Sequence, residues 1–433
     1  MSGVAPRLAA AELLLMVLQE RRTLDEALVK VDSFTTLTGP DRGLARAIVS
    51  ASLRQVGRLD AALDPLLKRP LEMAEPEVQA VLRIGAAQSW VLKMPDHAVV
   101  SATVDTAKRL AGARKASGFV NAILRKVVSD RAPFDAIPLE QVWPKWLRLD
   151  MQDSVGPKAA LRLAQNQIEQ PSLHLTPKQG AAQPLAERVE GVVLAGHTIE
   201  VKQANVEQLP GFDEGDWWVQ DVAAALPVRL LGVKADQPVL DLCAAPGGKT
   251  LQLAALGANV TALDRSQNRL KRVHLNLART RLAERVTVQV GDASDLSDLP
   301  GFEKILLDAP CSALGTLRRH PEGAWIKRAE DLQRFPAIQA RLLRAALANL
   351  QPGGTLIYCV CTPLSREGVD LIEAVLEEQG GVVKRLPIQA SEIPGFETCL
   401  TSAGDVLTLP GGTFEHDAFY IARLTRYSKV VTS

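Results

Sequence analysis

Two cysteines stand where a thiol can act as a nucleophile: Cys311 in Asp308-Ala-Pro-Cys-Ser312, and Cys361 in Tyr358-Cys-Val-Cys-Thr362. Each lies just past an apolar, strand-like run, which puts both at the sheet edge where α/β proteins bind ligands. A thiolate there adds to an electrophilic carbon and later leaves, splitting one hard substitution into two easier steps. Pro310 bars a helix across the first motif, so Cys311 sits in a loop. Cys359 and Cys361 are two apart and face one side for as long as the strand lasts. A free cysteine is more often a small core group than a nucleophile. That reading suits Cys359 and Cys399 and fits Cys311 and Cys361 less well.

A ligand for such thiols to serve is foreshadowed upstream. Pro238-Val-Leu-Asp-Leu is an apolar strand, and Cys243, Ala244, Ala245, Pro246, Gly247 and Gly248 form a turn with no bulky side chain before a helix opening at Lys249. Small residues let a ligand approach the backbone, and a helix N-terminus offers unpaired N–H groups. A triphosphate loop would need glycine at 243, where Cys243 stands, and no Gly-x-Gly-x-x-Gly run occurs. Lys249 is instead a candidate for positioning a cofactor. The strand Val260–Leu263 ends in Asp264, placed to accept from two ribose hydroxyls, and Val286–Val290 ends in Gly291-Asp292, placed to meet an adenine amino group. An aspartate at one strand end is as readily a helix cap. Acids at successive strand tips favour an adenosine-type ligand, and the short turn suits one without pyrophosphate: S-adenosylmethionine.

These motifs need a scaffold of alternating strands and helices. Val239–Leu242, Val260–Leu263, Val286–Val290, Lys304–Leu307 and Leu356–Val360 read as strands of a doubly wound parallel sheet, in a domain spanning 229–433. Residues 1–133 read as an all-α domain, with apolar residues at helical spacing from Leu8, Ala11 and Leu15 to Phe119, Ile123 and Val127. Between them, 134–228 carries Pro, Gln and short β-like runs, and reads as a small α+β module. Length 433 accommodates all three.

The net charge of +1 hides a split. Residues 1–131 hold 19 Lys and Arg against 14 Asp and Glu, about +5, leaving about −4 for the rest. Five cysteines, an odd number, do not form a disulfide framework, and none stands with histidines at zinc spacing, so no metal is expected. No signal core and no apolar run of about 18 residues occurs. A reducing cytoplasm fits.

The motifs together resemble the RNA 5-methylcytosine methyltransferases, in particular the bacterial branch acting on 16S ribosomal RNA. Cys243-Ala-Ala-Pro-Gly-Gly-Lys249 is similar to the family's cofactor loop, and Asp308-Ala-Pro-Cys-Ser312 to its fourth motif. Tyr358-Cys-Val-Cys-Thr362 stands where the family has Tyr-x-Thr-Cys-Ser, with Val360 for Thr, Thr362 for Ser and Gly368 for an Asn downstream. Pro410–Tyr420 resembles its closing segment, and Gly118–Arg125 resembles the NusB RNA-binding fold. The resemblance implies a NusB-like N-terminal domain, a Rossmann-like catalytic domain, and methylation of cytosine C5 through a covalent cysteine adduct. Cys361 is then the attacking thiol, Cys311 handles a proton or enzyme release, and Asp308 meets the base around N3. The implied partner is 16S ribosomal RNA, free or in a partly assembled subunit, met by a monomer. Arg318, Arg319, His320, Lys327 and Arg328 are candidates to hold flanking phosphates. Lys108, Arg109, Arg114, Lys115, Arg125 and Lys126 make an RNA surface on the helical domain. The rivals are a DNA cytosine-5 methyltransferase with Cys311 as nucleophile, and a non-catalytic NusB-like RNA-binding factor.

Overall fold

The computed structural model describes residues 3–427 except 179, 181, 203 and 204. The chain divides into two compact units, Met1–Gln170 with Leu317–Ala329, and Pro171–Thr316 with Glu330–Ser433. No helix among the described residues is long and apolar enough to cross a membrane.

The first unit is helical. Its opening helix, Val4–Glu20, is apolar around most of its circumference and is accordingly interior, packed against the helices Gly39–Arg54, Pro76–Ala86 and Asp96–Arg109. Ala9, Ala10, Leu13, Leu14 and Val17 have no exposed surface. Each fully buried Leu contributes roughly 1.5–3 kcal/mol, offset by the entropy of ordering it. Residues 134–170, assigned in the sequence to the α+β module, go with this helical unit. They form the helices Lys145–Val155 and Pro157–Ile168, bury Trp143, Leu147 and Met151, and are stapled on by Arg54, whose Nη1 donates to the carbonyl of Gln167 at 2.8 Å. Pro144 and Pro157 suggested irregular chain, but they sit where those helices begin, the one place a helix tolerates proline. Arg54 also donates to the carbonyl of Arg318 at 2.7 Å, so Leu317–Ala329 is held in the same unit.

The second unit holds two sheets. The small one, in the order β2 (Val192–Val193), β3 (Ile199–Val201), β1 (Leu173–Pro177), β4 (Trp217–Val219), is antiparallel throughout and covers Leu175, Ile199 and Trp217. The large one is built around β5 (Pro238–Leu242). On one side lie β6 (Asn259–Asp264) and β7 (Val286–Val290), on the other β8 (Phe302–Asp308) and β9 (Leu350–Val360), all parallel. Beyond β9 an antiparallel edge follows, which the sequence did not disclose: β12 (Tyr420–Arg426) pairs with β9, and both β10 (Val383–Arg385) and β11 (Val406–Leu407) pair with β12.

Parallel strands covered on both faces carry apolar residues facing both ways, as the Ile305–Leu307 stretch of β8 and the Leu356–Val360 stretch of β9 do; β5 departs from this only at Asp241. Val239, Leu306, Ile357 and Cys359 point into one core, Leu240, Leu307, Tyr358 and Val360 into the other. The chain leaves β5 for β6 on one side and reaches β8 on the other. That topological switch point is where open α/β sheets take ligands.

Candidate active site

A cavity of about 370 Å³ opens beyond the carboxyl ends of these strands. Cys243, Ala245 and Pro246 from the β5 turn line it, with Asp264 after β6, Asp292 after β7, Asp308 and Cys311 after β8, and Cys361 after β9. Strand β9 stops at Val360, so Cys359 is still core and has no exposed surface, while Cys361 has already turned to the cavity. The sulfurs of Cys311 and Cys361 are 3.3 Å apart. Their hydrogen bond first, and burial second, raise the Cys311 pKa well above the ordinary thiol range.

The remaining thiols are held neutral. Burial, then Asp308 and Asp264, pushes Cys243 up to about 12. Burial, then Asp308, raises Cys359, whose S–H donates to Asp308 Oδ1 at 3.4 Å. Cys399 is partly buried against the β12 side of the core.

Asp264 is almost fully buried and already organised: Oδ2 accepts from the Ala245 N–H at 3.1 Å and Oδ1 from the Ser266 N–H at 2.9 Å. Two main-chain donors fix the carboxylate while each oxygen keeps an acceptor direction. Asp292 is exposed, and the Ser294 N–H holds its carboxyl below the usual range.

Four residues expected to meet a cofactor do not line the cavity. Ala244 is buried and donates its N–H to the Leu263 carbonyl; Gly247 lies against Val273, and Gly248 faces Gln220. Lys249 turns beneath the site, with Nζ 2.7 Å from Asp308 Oδ2 and 5.3 Å from the Phe419 ring centroid. Burial opposes its charge, but Asp308 overrides that and the net shift is upward. Lys249 therefore neutralises Asp308 and leaves the cavity to others. Arg318 is likewise no surface phosphate ligand: it is buried in the helical unit. Lys108, Arg109, Arg114, Lys115, Arg125 and Lys126 are all exposed on that unit.

Sequence reasoning missed the other half of the cavity wall. Arg265 follows Asp264 directly, and Arg269 lies in the first turn of the next helix, Gln267–Thr280, where its guanidinium N–H donates to the Ala245 carbonyl. Ile338, Arg341 and Leu342 come from the helix Phe335–Asn349, and their spacing of three and four is the one signal that would have set them on one face. Thus Ile338 and Leu342 add apolar surface to a lining that holds the acids, and Arg265, Arg269 and Arg341 are exposed.

The fold and site define an α/β transferase class: acids on successive strand tips around a cavity, with two facing thiols at its wall. The chain belongs to the 16S rRNA methyltransferase RsmB/F family, whose profile matches residues 228–425, while the NusB family profile matches 4–129. It is 38% identical over 394 residues to the ribosomal RNA small subunit methyltransferase B of Xanthomonas campestris pv. campestris, covering 87% of this chain and 88% of that one. The protein of the same name from Pseudomonas syringae pv. tomato is 34% identical over 450 residues, covering 97% of each. The fold is also that of the solved structure of PH0851, with TM-score 0.77 at 21% identity over 97% of this chain and 99% of that one. NSun6 from Pyrococcus horikoshii, solved with SFG, gives 0.57 at 18% identity over 66% and 98%.

Proposed function

We propose that this protein methylates carbon 5 of a cytosine in 16S ribosomal RNA, with S-adenosylmethionine as donor and Cys361 as nucleophile. One observation carries the reading: the paired sulfurs of Cys311 and Cys361 face a cavity whose other wall presents Asp264 and Asp292. The residues present fit the donor. Asp264 is fixed by main-chain N–H groups with acceptor directions left for ribose hydroxyls, Asp292 is exposed for an adenine amino group, and Ile338 and Leu342 offer apolar surface to a base. S-adenosylmethionine supplies a methyl group on a sulfonium, which leaves as a neutral thioether.

Carbon 5 is a poor nucleophile until a thiolate adds to carbon 6. The Cys361 sulfur forms that C–S bond while N3 takes up a proton from water, and Asp308, which Lys249 also bonds, accepts a hydrogen bond from that N3–H until the proton leaves again as the C–S bond breaks. After methylation at C5, the C5–H bond breaks, its electron pair re-forms the C5–C6 double bond, and the C–S bond to Cys361 breaks. Cys311 serves both ends of this elimination. It passes its proton to the departing Cys361 sulfur 3.3 Å away and takes up the C5 proton. Both cysteines end as thiols, and the one proton gained per turnover leaves from Cys361 to solvent before the next attack. The target base must be swung out of its stack, which is easiest in a loop. The helical domain, acting in a monomer, holds the surrounding RNA, free or in a partly assembled subunit, and a reducing cytoplasm keeps both thiols available.

The test is methyl transfer from labelled donor to 16S RNA, with covalent protein–RNA trapping, for Cys361→Ala and Cys311→Ala. Loss of trapping in Cys361→Ala alone supports the assignment. Trapping that survives without Cys361 and vanishes without Cys311 reverses it, which is the order expected of the DNA-type rival.

A further inference from the structure

Cys311 is gripped from both sides by a pair of side chains that no step above uses. Glu367, in the turn Ser365–Glu367 after β9, has no exposed surface. Its Oε2 accepts from the Ser312 N–H at 2.9 Å and from Gln339 Nε2 at 2.9 Å. The same Gln339 Nε2 donates to the Pro310 carbonyl at 3.0 Å. The main-chain groups immediately before and after Cys311 thus hang on one carboxylate and one amide. Two further bonds tie this assembly to the neighbouring strand. The Tyr358 hydroxyl donates to the Glu367 carbonyl at 2.7 Å, and the Ser312 hydroxyl donates to Thr362 Oγ1 at 2.9 Å, next to Cys361.

A carboxyl group is an expensive choice for a sealed core, and burial raises the pKa of this one. Apolar packing would stabilise the helix-on-strand contact better. What a carboxylate supplies instead is a fixed acceptor for an N–H that has left the sheet ladder, and Gln339 supplies the matching donor for the carbonyl on the other side of the thiol.

We propose that Glu367 and Gln339 are positioning residues for the reaction, a clamp that fixes the Cys311 sulfur against Cys361 so that the adduct can be released. The inference rests on the reading of Cys311 as the proton relay in elimination. The clamp touches no substrate atom. It acts by denying the 309–313 loop the freedom to carry the thiol away, and a misplacement of about 1 Å in a reacting group can cost on the order of 10²-fold in rate.

The experiment uses the full-length protein, labelled donor and 16S RNA, following first-turnover methylation and the decay of the denaturant-resistant protein–RNA adduct. Cys311→Ala is the reference and accumulates adduct if the relay reading holds. Glu367→Ala then accumulates it too, with release slowed on the order of 10²-fold and first-turnover methylation nearly unchanged. Glu367→Gln keeps an acceptor for Ser312 and restores release. Gln339→Ala, which leaves the carboxyl in place, slows release as well and serves if Glu367→Ala does not fold. Variants that melt at lower temperature yet release adduct at the parent rate overturn the clamp. If Cys311→Ala itself releases normally, the relay reading has failed, and the clamp is judged separately by Cys311 alkylation in a Cys361→Ala background. Faster alkylation on adding Glu367→Ala supports it, and an unchanged rate sinks it.

Discussion

The two units put their buried ionisable groups to different use. On the helical unit Lys108, Arg109, Arg114, Lys115, Arg125 and Lys126 are exposed, while its half-buried Arg54 and buried Arg58 are spent on main-chain carbonyls. In the α/β unit Asp241, Asp264, Lys249 and Glu367 are buried near the strand ends, while Arg265, Arg269, Asp292 and Arg341 around the cavity stay exposed. Exposed charges act through a field that salt screens within about 8 Å at physiological ionic strength. Buried ones act through single contacts that shift pKa values. Salt should therefore govern what the first unit does, and pH what the second does.

The largest effect that separates the units is Cys361→Ala. Loss of the nucleophile should lower turnover by at least about 10³-fold with RNA affinity intact. Measured methyl transfer within tenfold of the parent would move the chemistry elsewhere.

Next comes pH, through Asp241. This carboxyl lies wholly inside β5, takes one bond from the Thr250 hydroxyl at 2.5 Å, and burial raises its pKa to about 7. The folded state then holds a proton that the unfolded chain releases near pH 4, so stability is full below that and falls as pH rises to about 7. Asp241→Asn keeps an acceptor for Thr250 without the charge. It should remove that decline, raising stability at pH 8 by on the order of 2–4 kcal/mol with no change near pH 4. Parallel melting-temperature profiles for the two proteins would show that Asp241 is ionised at no such cost.

Salt sharpens the other side. Arg114→Glu with Lys115→Glu should weaken RNA binding about tenfold and flatten the plot of log affinity against log salt by about 1.4, for two lost phosphate contacts on single-stranded RNA. Donor affinity, measured by calorimetry, should not move. An unaltered salt slope would place the RNA on another face of the helical unit.

How much of this was legible depends on how local each signal is. β5, β6, β7, β8 and β9 were readable because each carries a short stretch rich in Val, Leu and Ile, and most lead into a residue with chemistry. β12 was not, since Arg423 and Arg426 break its apolar run and its partner β9 lies 60 residues upstream in register at Tyr420 and Val360. The prolines at 144 and 157 hid two helices because a proline marks a helix start as readily as a break in the chain. Within the site, the thiols and strand-tip acids announced themselves by type and position. Nothing in Ser365-Arg-Glu367 says that its glutamate will be sealed in, and Lys249 has the look of a ligand-binding lysine until Asp308 is seen to claim it.

The smallest expected effect tests the finest part of the comparison. Cys359 and Cys361 differ by two residues, and a slip of the loop by that amount would exchange them. Ending β9 at Val360 leaves Cys359 paired in register with Ile421 and packed in the core, with its thiol on Asp308. Cys359→Ala removes one sulfur from a tight interior, which costs about 1 kcal/mol of stability, and deprives Asp308 of one of its two donors while Lys249 remains. Turnover should stay within about threefold of the parent, since no interaction made only in the transition state is lost. A collapse of methyl transfer with the fold intact would mean that the strand stops two residues sooner than its hydrogen bonds indicate, and that the nucleophile is Cys359.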